Sequence, residues 1–474
     1  MKEKELCFTI NSRFMMIYRM IIGFTNLMEF SKNSRFSFLT LPNPSNEFTL
    51  KGEILVMNNV EKIIQLFENG QLDKAKKLID KVKKSGSDEE QYLLAEELNQ
   101  LGFPEDAKNL YQILLEKYPE EGELIVLLAE TFVDLNQEEE AILLLEKIDA
   151  SDPSYPRALL LLADLYQMQG LYEVSEQKLL MAKELAKDEP VIDFALGELY
   201  MEQGRYREAV DYYHKLIDQQ IYELAGTQIR QRIAEALSAA GEFEEALPYY
   251  DDALDEKLEV NTLFGFGLTA YQAGYYQTAI EKFTELKALD PDYHSLYLYL
   301  ARSYEHEEML EQALQSIKEG ISHDEFQKEL YFLGGKIALK LQKEDEAESF
   351  FQQALRLDPG YLEAALTLNK LYMTQERYSD ILDIIKQVQN EGEDDPQFLW
   401  DQAKALHGLE QYSEALKMYQ KAYNDFKNNQ DFLEEYGYFL LEEGKTQKAA
   451  EIFHKLLEKD PTNEEWILLL ERLE

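Results

Sequence analysis

The sequence predicts an all-α chain, a solenoid of about twelve stacked helical hairpins closed by a C-terminal capping helix. Three observations carry that prediction. First, a small residue recurs in phase, at Ala75, Ala107, Ala141, Ser175, Ala209, Ala246, Ala279, Ala313, Ala347, Ile381, Ala415 and Ala449. Eight of the eleven steps are 34 residues, and the others are 32, 37 and 33. A fixed helix crossing needs a small side chain at the contact, because a larger one pushes the helices apart. Second, four residues further on a large apolar residue recurs (Leu145, Leu179, Tyr213, Tyr250, Phe283, Phe351, Tyr419, Phe453). That spacing puts both on one helical face. Third, glycines at 170, 204, 241, 274 and 444 mark turns inside the hairpins, and prolines at 119, 153, 291, 359 and 461 close several units.

The clearest unit is Leu330 to Pro359. Gly335 sits where two helices cross closely, Ala347 opens the second helix, and Phe351 and Ala354 follow at helical spacing. Thirty-four residues earlier the same frame reads Ala301, Ala313, Ile317, and thirty-four later it reads Asn369, Ile381, Ile385, Val388. This unit resembles the tetratricopeptide repeat, a helix-turn-helix of 34 residues. The resemblance covers residues 57–474 and is similar to the long, mostly uncharacterised tetratricopeptide proteins of bacteria. It implies a right-handed α-α superhelix whose first helices line a concave surface that binds a peptide or a partner helix. Ile381 departs from the small-residue rule, so its repeat is expected to be splayed.

Composition narrows the function classes. A chain of 474 residues exceeds one ordinary core, but a solenoid grows by adding units that touch only their neighbours. Hydrophobic content of 45% is enough for a core, and a net charge of −43 repels polyphosphates, which argues against nucleic acid. The single cysteine, Cys7, allows neither a disulfide framework nor a thiolate metal site and suits a cytoplasmic location. The six histidines form no ligand-spaced pair, so no metal and no cofactor are expected. There is no Gly-rich phosphate loop, no G-x-S-x-G and no H-E-x-x-H, and the chain is not expected to be an enzyme.

In chain order, residues 1–56 stand apart. They hold seven Lys/Arg against five Asp/Glu, a net +2, which leaves −45 on residues 57–474. The apolar run Phe14–Phe30 contains Arg19 and Glu29 and falls short of a clean membrane span. Lys51-Gly52-Glu53 is encodable by a purine-rich ribosome-binding sequence just ahead of Met57. Residues 1–56 are therefore read as an over-extended gene start or a disordered extension. Residues 57–461 form the repeat array, and 462–474, with Trp466, form the capping helix. The 37-residue step falls around Asp218–Thr227, where a longer second helix or loop is expected, and Glu391–Pro396 reads as a solvated acidic loop.

The repeat frame allows groove-facing residues to be named. The residue after the first-helix packing position reads Glu96, Glu130, Asp164, Glu198, Glu235 in repeats 2 to 6, then Leu268. It continues as Arg302, Lys336, Lys370, Lys404 in repeats 8 to 11 and ends at Tyr438. Acids outnumber bases 91 to 48, so four consecutive cations in one column stand out. Lys340 and His306 lie one turn along. The column predicts an acidic N-terminal half and a basic C-terminal half, charges that steer a complementary ligand. Four residues earlier a mostly apolar column includes Phe332 and Trp400, which together with Tyr271 are the expected aromatic anchors.

One subclass of the family grips chaperone C-terminal carboxylates with a Lys followed four residues later by an Asn. Here the corresponding pairs are Phe332/Lys336, Leu366/Lys370 and Trp400/Lys404, so that motif is not matched. The reading is a scaffold that binds a protein or peptide ligand, with self-association through opposite halves a second use of the same charges. The alternative is a membrane-associated assembly or regulatory factor anchored by Phe14–Phe30.

Overall fold

A computed structural model describes residues 49–473, with side chains from Asn59 onward. The apolar run Phe14–Phe30, and with it the anchoring alternative, lies outside the described residues. Among those residues no helix is long and apolar enough to cross a membrane. The chain divides into two compact units, 1–258 and 259–474, and each is taken by itself.

Unit 1 holds six hairpins. These are α1 (Thr49–Glu68) with α2 (Leu72–Ser85), α3 (Asp88–Gln100) with α4 (Pro104–Lys117), and α5 (Gly122–Asp134) with α6 (Glu138–Leu145). Then come α7 (Tyr155–Met168) with α8 (Tyr172–Leu185), α9 (Pro190–Glu202) with α10 (Tyr206–Asp218), and α11 (Ile229–Ala239) with α12 (Phe243–Glu256). Unit 2 holds α13 (Val260–Gln272) with α14 (Tyr276–Leu289), α15 (Ser295–His306) with α16 (Leu310–His323), and α17 (Lys328–Lys340) with α18 (Glu344–Leu357). It continues with α19 (Leu362–Thr374) and α20 (Tyr378–Asn390), α21 (Pro396–Gly408) and α22 (Tyr412–Phe426), and α23 (Gln430–Glu442) and α24 (Thr446–Lys459), closed by α25 (Glu464–Leu473). The chain is an all-α repeat solenoid of helical hairpins. Helix α1 is continuous across Met57.

The turn inside each hairpin is one device repeated. The second residue after the first helix enters the left-handed region, and the next backbone N–H reaches back five residues, as Leu171 N–H does to the Tyr166 carbonyl at 2.8 Å. The expected glycines, 170, 204, 241, 274 and 444, all have positive φ. In the intervening repeats the same site holds Asn136, Glu308, Gln342, Glu376 and Glu410, also at positive φ. Lys343 N–H still reaches the Ala338 carbonyl at 2.8 Å behind Gln342. The fold demands the conformation whether or not glycine is there to relieve it.

Each hairpin closes on the in-phase small residue. Ala75, Ala107, Ala141, Ser175, Ala209, Ala246, Ala279, Ala313, Ala347, Ala415 and Ala449 are all completely buried, and so is Ile381. The opposite partner explains the first-helix glycines. A methyl group on Gly335 would lie 2.5 Å from the Phe351 ring, on Gly267 2.7 Å from Phe283, and on Gly437 2.9 Å from Phe453. Every phenylalanine at this second-helix position faces a glycine sixteen residues earlier. Smaller Leu145 and Leu179 stand at the same offset from Ala129 and Ala163, and Ile385 from Asn369. Phenylalanine is matched to glycine at this crossing, whereas Tyr111, Tyr250 and Tyr419 stand at the same offset from Ala95, Ala234 and Ala403.

Two irregularities lie in unit 1. The 37-residue step is a short β-hairpin, β1 (Glu223–Leu224) paired with β2 (Thr227–Gln228). Ala225 and Gly226 turn it with φ of 52° and 76°, the double positive φ that a two-residue hairpin favours. Helix α6 has only eight residues, against fourteen in α4 and α8. At the far end of unit 2, α25 buries Trp466 and Leu470 against α23 and α24, and the Trp466 indole N–H donates to Glu434 at 3.2 Å.

Candidate functional site

The charged column lies where one first helix faces the next, and the structure adds partners to it that change its sign balance. In unit 1, Arg157 on α7 donates to Glu130 on α5 at 2.7 Å. Arg232 on α11 reaches back to Glu198 on α9 with two bonds of 2.7 Å, through Nε and Nη2. Its Nη1 holds Glu235 at 2.5 Å, and the Tyr213 hydroxyl also donates to Glu198 at 2.5 Å. Three of the five column acids are therefore held by arginines of the same wall.

The other two are Glu96 and Asp164. Burial, then the charge of Glu123, pushes Glu96 up to about 7 against the Tyr92 hydroxyl, 3.4 Å away. Asp164 is only 4% exposed, and its Oδ2 has no hydrogen-bond donor. Burial first, then the charges of Glu202 and Glu138, push it up to about 7 as well. Unit 1's wall is thus much less negative than its sequence column.

Unit 2 repeats the bridge with the charges exchanged. Lys404 on α21 pairs with Glu435 on α23 at 2.8 Å, and Glu435 also accepts from Tyr419 at 2.7 Å. Lys340 on α17 is likewise taken by Glu305 on α15 at 2.6 Å. Trp400 is not an exposed anchor. It is 8% exposed, packs on Phe426 and Phe432 at 5.2 and 5.3 Å, and gives its indole N–H to Glu435 at 3.0 Å. Its size is used to fill the space between neighbouring hairpins.

Three column cations make no ion pair among the described residues, although Arg302 bonds the Tyr271 hydroxyl and Lys370 lies opposite the Asp401 carboxylate. These are Arg302, Lys336 and Lys370, and both lysines are exposed. They stand on three successive first helices, α15, α17 and α19. Half-buried aromatics accompany them. Burial raises the Tyr271 hydroxyl, and the neighbouring Arg302 charge opposes that rise; Arg302 acts on Tyr361 in the same sense. Phe332 lies 5.3 Å from Tyr361, with Lys336 5.9 Å from its ring centroid. Tyr271 approaches Tyr299 at 5.8 Å and His306 at 5.9 Å. His306, exposed, stacks on Tyr276 at 4.1 Å.

The bridging partners have a sequence signal. Three residues before the column, the register reads Leu93, Leu127, Leu161, Ala195, Arg232, Gly265, Tyr299, Leu333, Thr367, Asp401, Glu435. Its three charged members each oppose the column residue of the preceding repeat, namely Glu198, Lys370 and Lys404. Asp401 is the middle case. It is 7% exposed, accepts from Gln397 at 2.9 Å, and feels the charges of Lys404 and Lys370. Among the described residues no group of His, Cys, Asp or Glu could hold a metal ion.

Comparison with known proteins places this geometry. A profile of YpiA-like tetratricopeptide repeats matches residues 167–221, and one of YpiA-like C-terminal tetratricopeptide repeats matches residues 396–463. General tetratricopeptide profiles match residues 98–165, 338–405 and 231–263. The TPR repeat-containing protein YpiA of Bacillus subtilis (strain 168) is 47% identical over 406 residues, 86% of this chain and 96% of YpiA. Among solved structures, the Cut9–Hcn1 assembly of the APC/C aligns over 87% of this chain and 95% of its own at 13% identity and a TM-score of 0.34. YrrB, titled a TPR protein with an unusual peptide-binding site, aligns over 40% of this chain and 96% of its own at 14% identity and a TM-score of 0.35. MamA from Desulfovibrio magneticus RS-1 aligns over 36% and 97% at 20% identity and a TM-score of 0.33.

Proposed function

This chain belongs to the tetratricopeptide-repeat family, with YpiA as a relative along most of its length, and from that premise we propose that it is a protein-interaction scaffold whose first-helix wall in unit 2 takes an acidic segment of a partner protein. The observation that carries the reading is the contrast between compensated and open charges. Glu130, Glu198, Lys340 and Lys404 spend their charge on neighbouring helices, and Glu235 spends its charge on Arg232 of its own helix. Arg302, Lys336 and Lys370 spend none on an ion pair among the described residues, although acids outnumber bases nearly two to one in the chain.

A cation left open in so acidic a protein is available to an incoming carboxylate. Charge-assisted bonds to it are stronger than neutral ones, and the half-buried rings of Tyr271, Phe332 and Tyr361 offer apolar surface beside it. Lys404 and Lys340 support the wall instead of the ligand. Unit 1, with its acids paired or pushed toward the neutral form, serves chiefly as structure in this reading.

Affinity capture from lysate of the source organism tests it, comparing the parent chain with Lys336→Glu/Lys370→Glu. Both side chains are exposed, so the double reversal leaves the core intact. Loss of the captured partners is expected, and an unchanged partner set would remove the basic patch from the function.

A further inference from the structure

Helix α2 differs from the other second helices in the charge it turns outward. Its inner face is Ala75, Ile79 and Val82, all buried. Relative to Ala75, the positions one before and two, six and nine after fall on the opposite face, and they read Lys74, Lys77, Lys81 and Lys84. Counted from the same small residue, α10 reads Glu208, Asp211, Lys215 and Asp218, and α12 reads Glu245, Pro248, Asp252 and Asp255. In no other hairpin do these four positions hold more than two cations.

The fold leaves this stripe to solvent. All four lysines are exposed, and among the described residues none of them makes an ion pair. Lys74 donates to the neutral side chain of Gln71 at 2.9 Å. Lys83, off the stripe, pairs with Asp106 at 2.8 Å. From Lys74 to Lys84 the helix rises about 15 Å, so four ammonium groups follow one line of that length. Asp73 and Asp80 flank it, and α2 as a whole carries six lysines against these two acids.

The residue type selects the partner. Protein interfaces favour arginine and aromatic side chains and are depleted in lysine. Single-stranded nucleic acid asks for rings on which bases stack. The stripe holds no arginine and no ring. A compact, hydrated ammonium on a flexible stem answers diffuse negative charge without demanding a fixed partner geometry. An anionic membrane presents such charge as a plane, and each lysine held near it is worth about fivefold in binding. Salt screens charges beyond about 8 Å, so the local charge of α2, and not the chain's net −43, sets what the stripe attracts.

We propose that α2 docks unit 1 on a membrane surface of anionic phospholipid headgroups through Lys74, Lys77, Lys81 and Lys84. The contact is peripheral, because the apolar face of the helix is already buried within the repeat array and has nothing to insert. This goes beyond the partner-binding reading and uses none of its residues.

Vesicle co-sedimentation with the full chain tests the proposal. Vesicles of phosphatidylcholine mixed with phosphatidylglycerol are compared with vesicles of phosphatidylcholine alone, at low and at physiological salt. Binding is expected to the mixed vesicles only and to weaken as salt rises. Lys77→Gln/Lys81→Gln is expected to weaken it by about tenfold or more, with the melting curve of the parent, since both side chains are exposed. Lys336→Glu/Lys370→Glu, which tests the partner-binding wall, is expected to sediment like the parent. No binding to the mixed vesicles, equal binding to the neutral ones, or binding indifferent to the α2 change overturns the proposal. Polyglutamate and duplex DNA are run alongside. Binding of either through α2, without vesicle binding, overturns the membrane assignment and gives the stripe to a macromolecule.

Discussion

Arg232 holds Glu198 of the preceding repeat through two parallel hydrogen bonds of 2.7 Å while its third nitrogen holds Glu235. Lys404 and Glu435 occupy the same two register positions in unit 2 with the signs exchanged. In both places a second-helix tyrosine, Tyr213 or Tyr419, donates to the acid. These two register positions therefore bridge neighbouring first helices once in each unit, and either charge order fills them.

Removing one partner from such a part-buried bridge leaves the other uncompensated, which costs more than the bridge itself is worth. Arg232→Met is expected to destabilise unit 1 by roughly 2–4 kcal/mol. Glu198→Gln added to it is expected to return a good part of the loss, because fewer unpaired charges then remain. Urea unfolding at low and high salt measures both. A single variant as stable as the parent would mean that solvent already screens the pair.

Gly335 is tied to Phe351 by volume. Gly335→Ala places a methyl 2.5 Å from the ring and is expected to cost about 1–3 kcal/mol. Phe351→Leu in the same chain recreates the Ala-with-Leu combination found at Ala129/Leu145 and Ala163/Leu179. It is expected to restore most of the loss, although Phe351→Leu alone opens a cavity and destabilises. Thermal unfolding of the four proteins checks this, and additive losses in the double variant would refute the pairing.

The left-handed turn residues lacking glycine are a reservoir of small strain. Glu308, Gln342, Glu376 and Glu410 have φ between 56° and 60°. Each change to glycine removes roughly 1–2 kcal/mol of steric cost and returns part of it through the greater freedom of the unfolded chain. A net gain of roughly 0.5–1 kcal/mol per site is expected, visible as a rising melting temperature as the four changes are combined. The same change at an ordinary helix position, such as Lys318, is expected to lower it.

Asp164 makes unit 1 sensitive to pH. Its folded value is raised from about 3.8 to about 7. Between those two values the native state keeps a proton that the unfolded chain has released, so stability falls as pH rises through that window. Asp164→Asn cannot ionise. Its advantage over the parent is expected to be small near pH 4, to grow through pH 7, and to reach roughly 4 kcal/mol at pH 8. Denaturant midpoints across that range measure it, and parallel pH profiles would refute an ionising Asp164.

The hairpins, their phase and their close crossings follow from the sequence alone. They depend on side-chain volume at fixed helical spacing, and both Gly335 with Phe351 and the run of buried alanines are readable as letters. The turn site was only half visible, since Gly170 and Gly204 announce it but Glu308 and Gln342 adopt the same backbone because the helices on either side compel it. The charge column was readable too, but not its meaning. Whether Glu198 or Lys404 is available to a ligand depends on Arg232 and Glu435, which lie 34 and 31 residues away and meet them only when first helices stack. Trp400 looked like an anchor and is packing for the same reason. Volume along one helix is a local property that a sequence records directly. Whether a charge is spent or open is settled by the neighbours that folding brings to it, and only the tertiary structure singles out Arg302, Lys336 and Lys370.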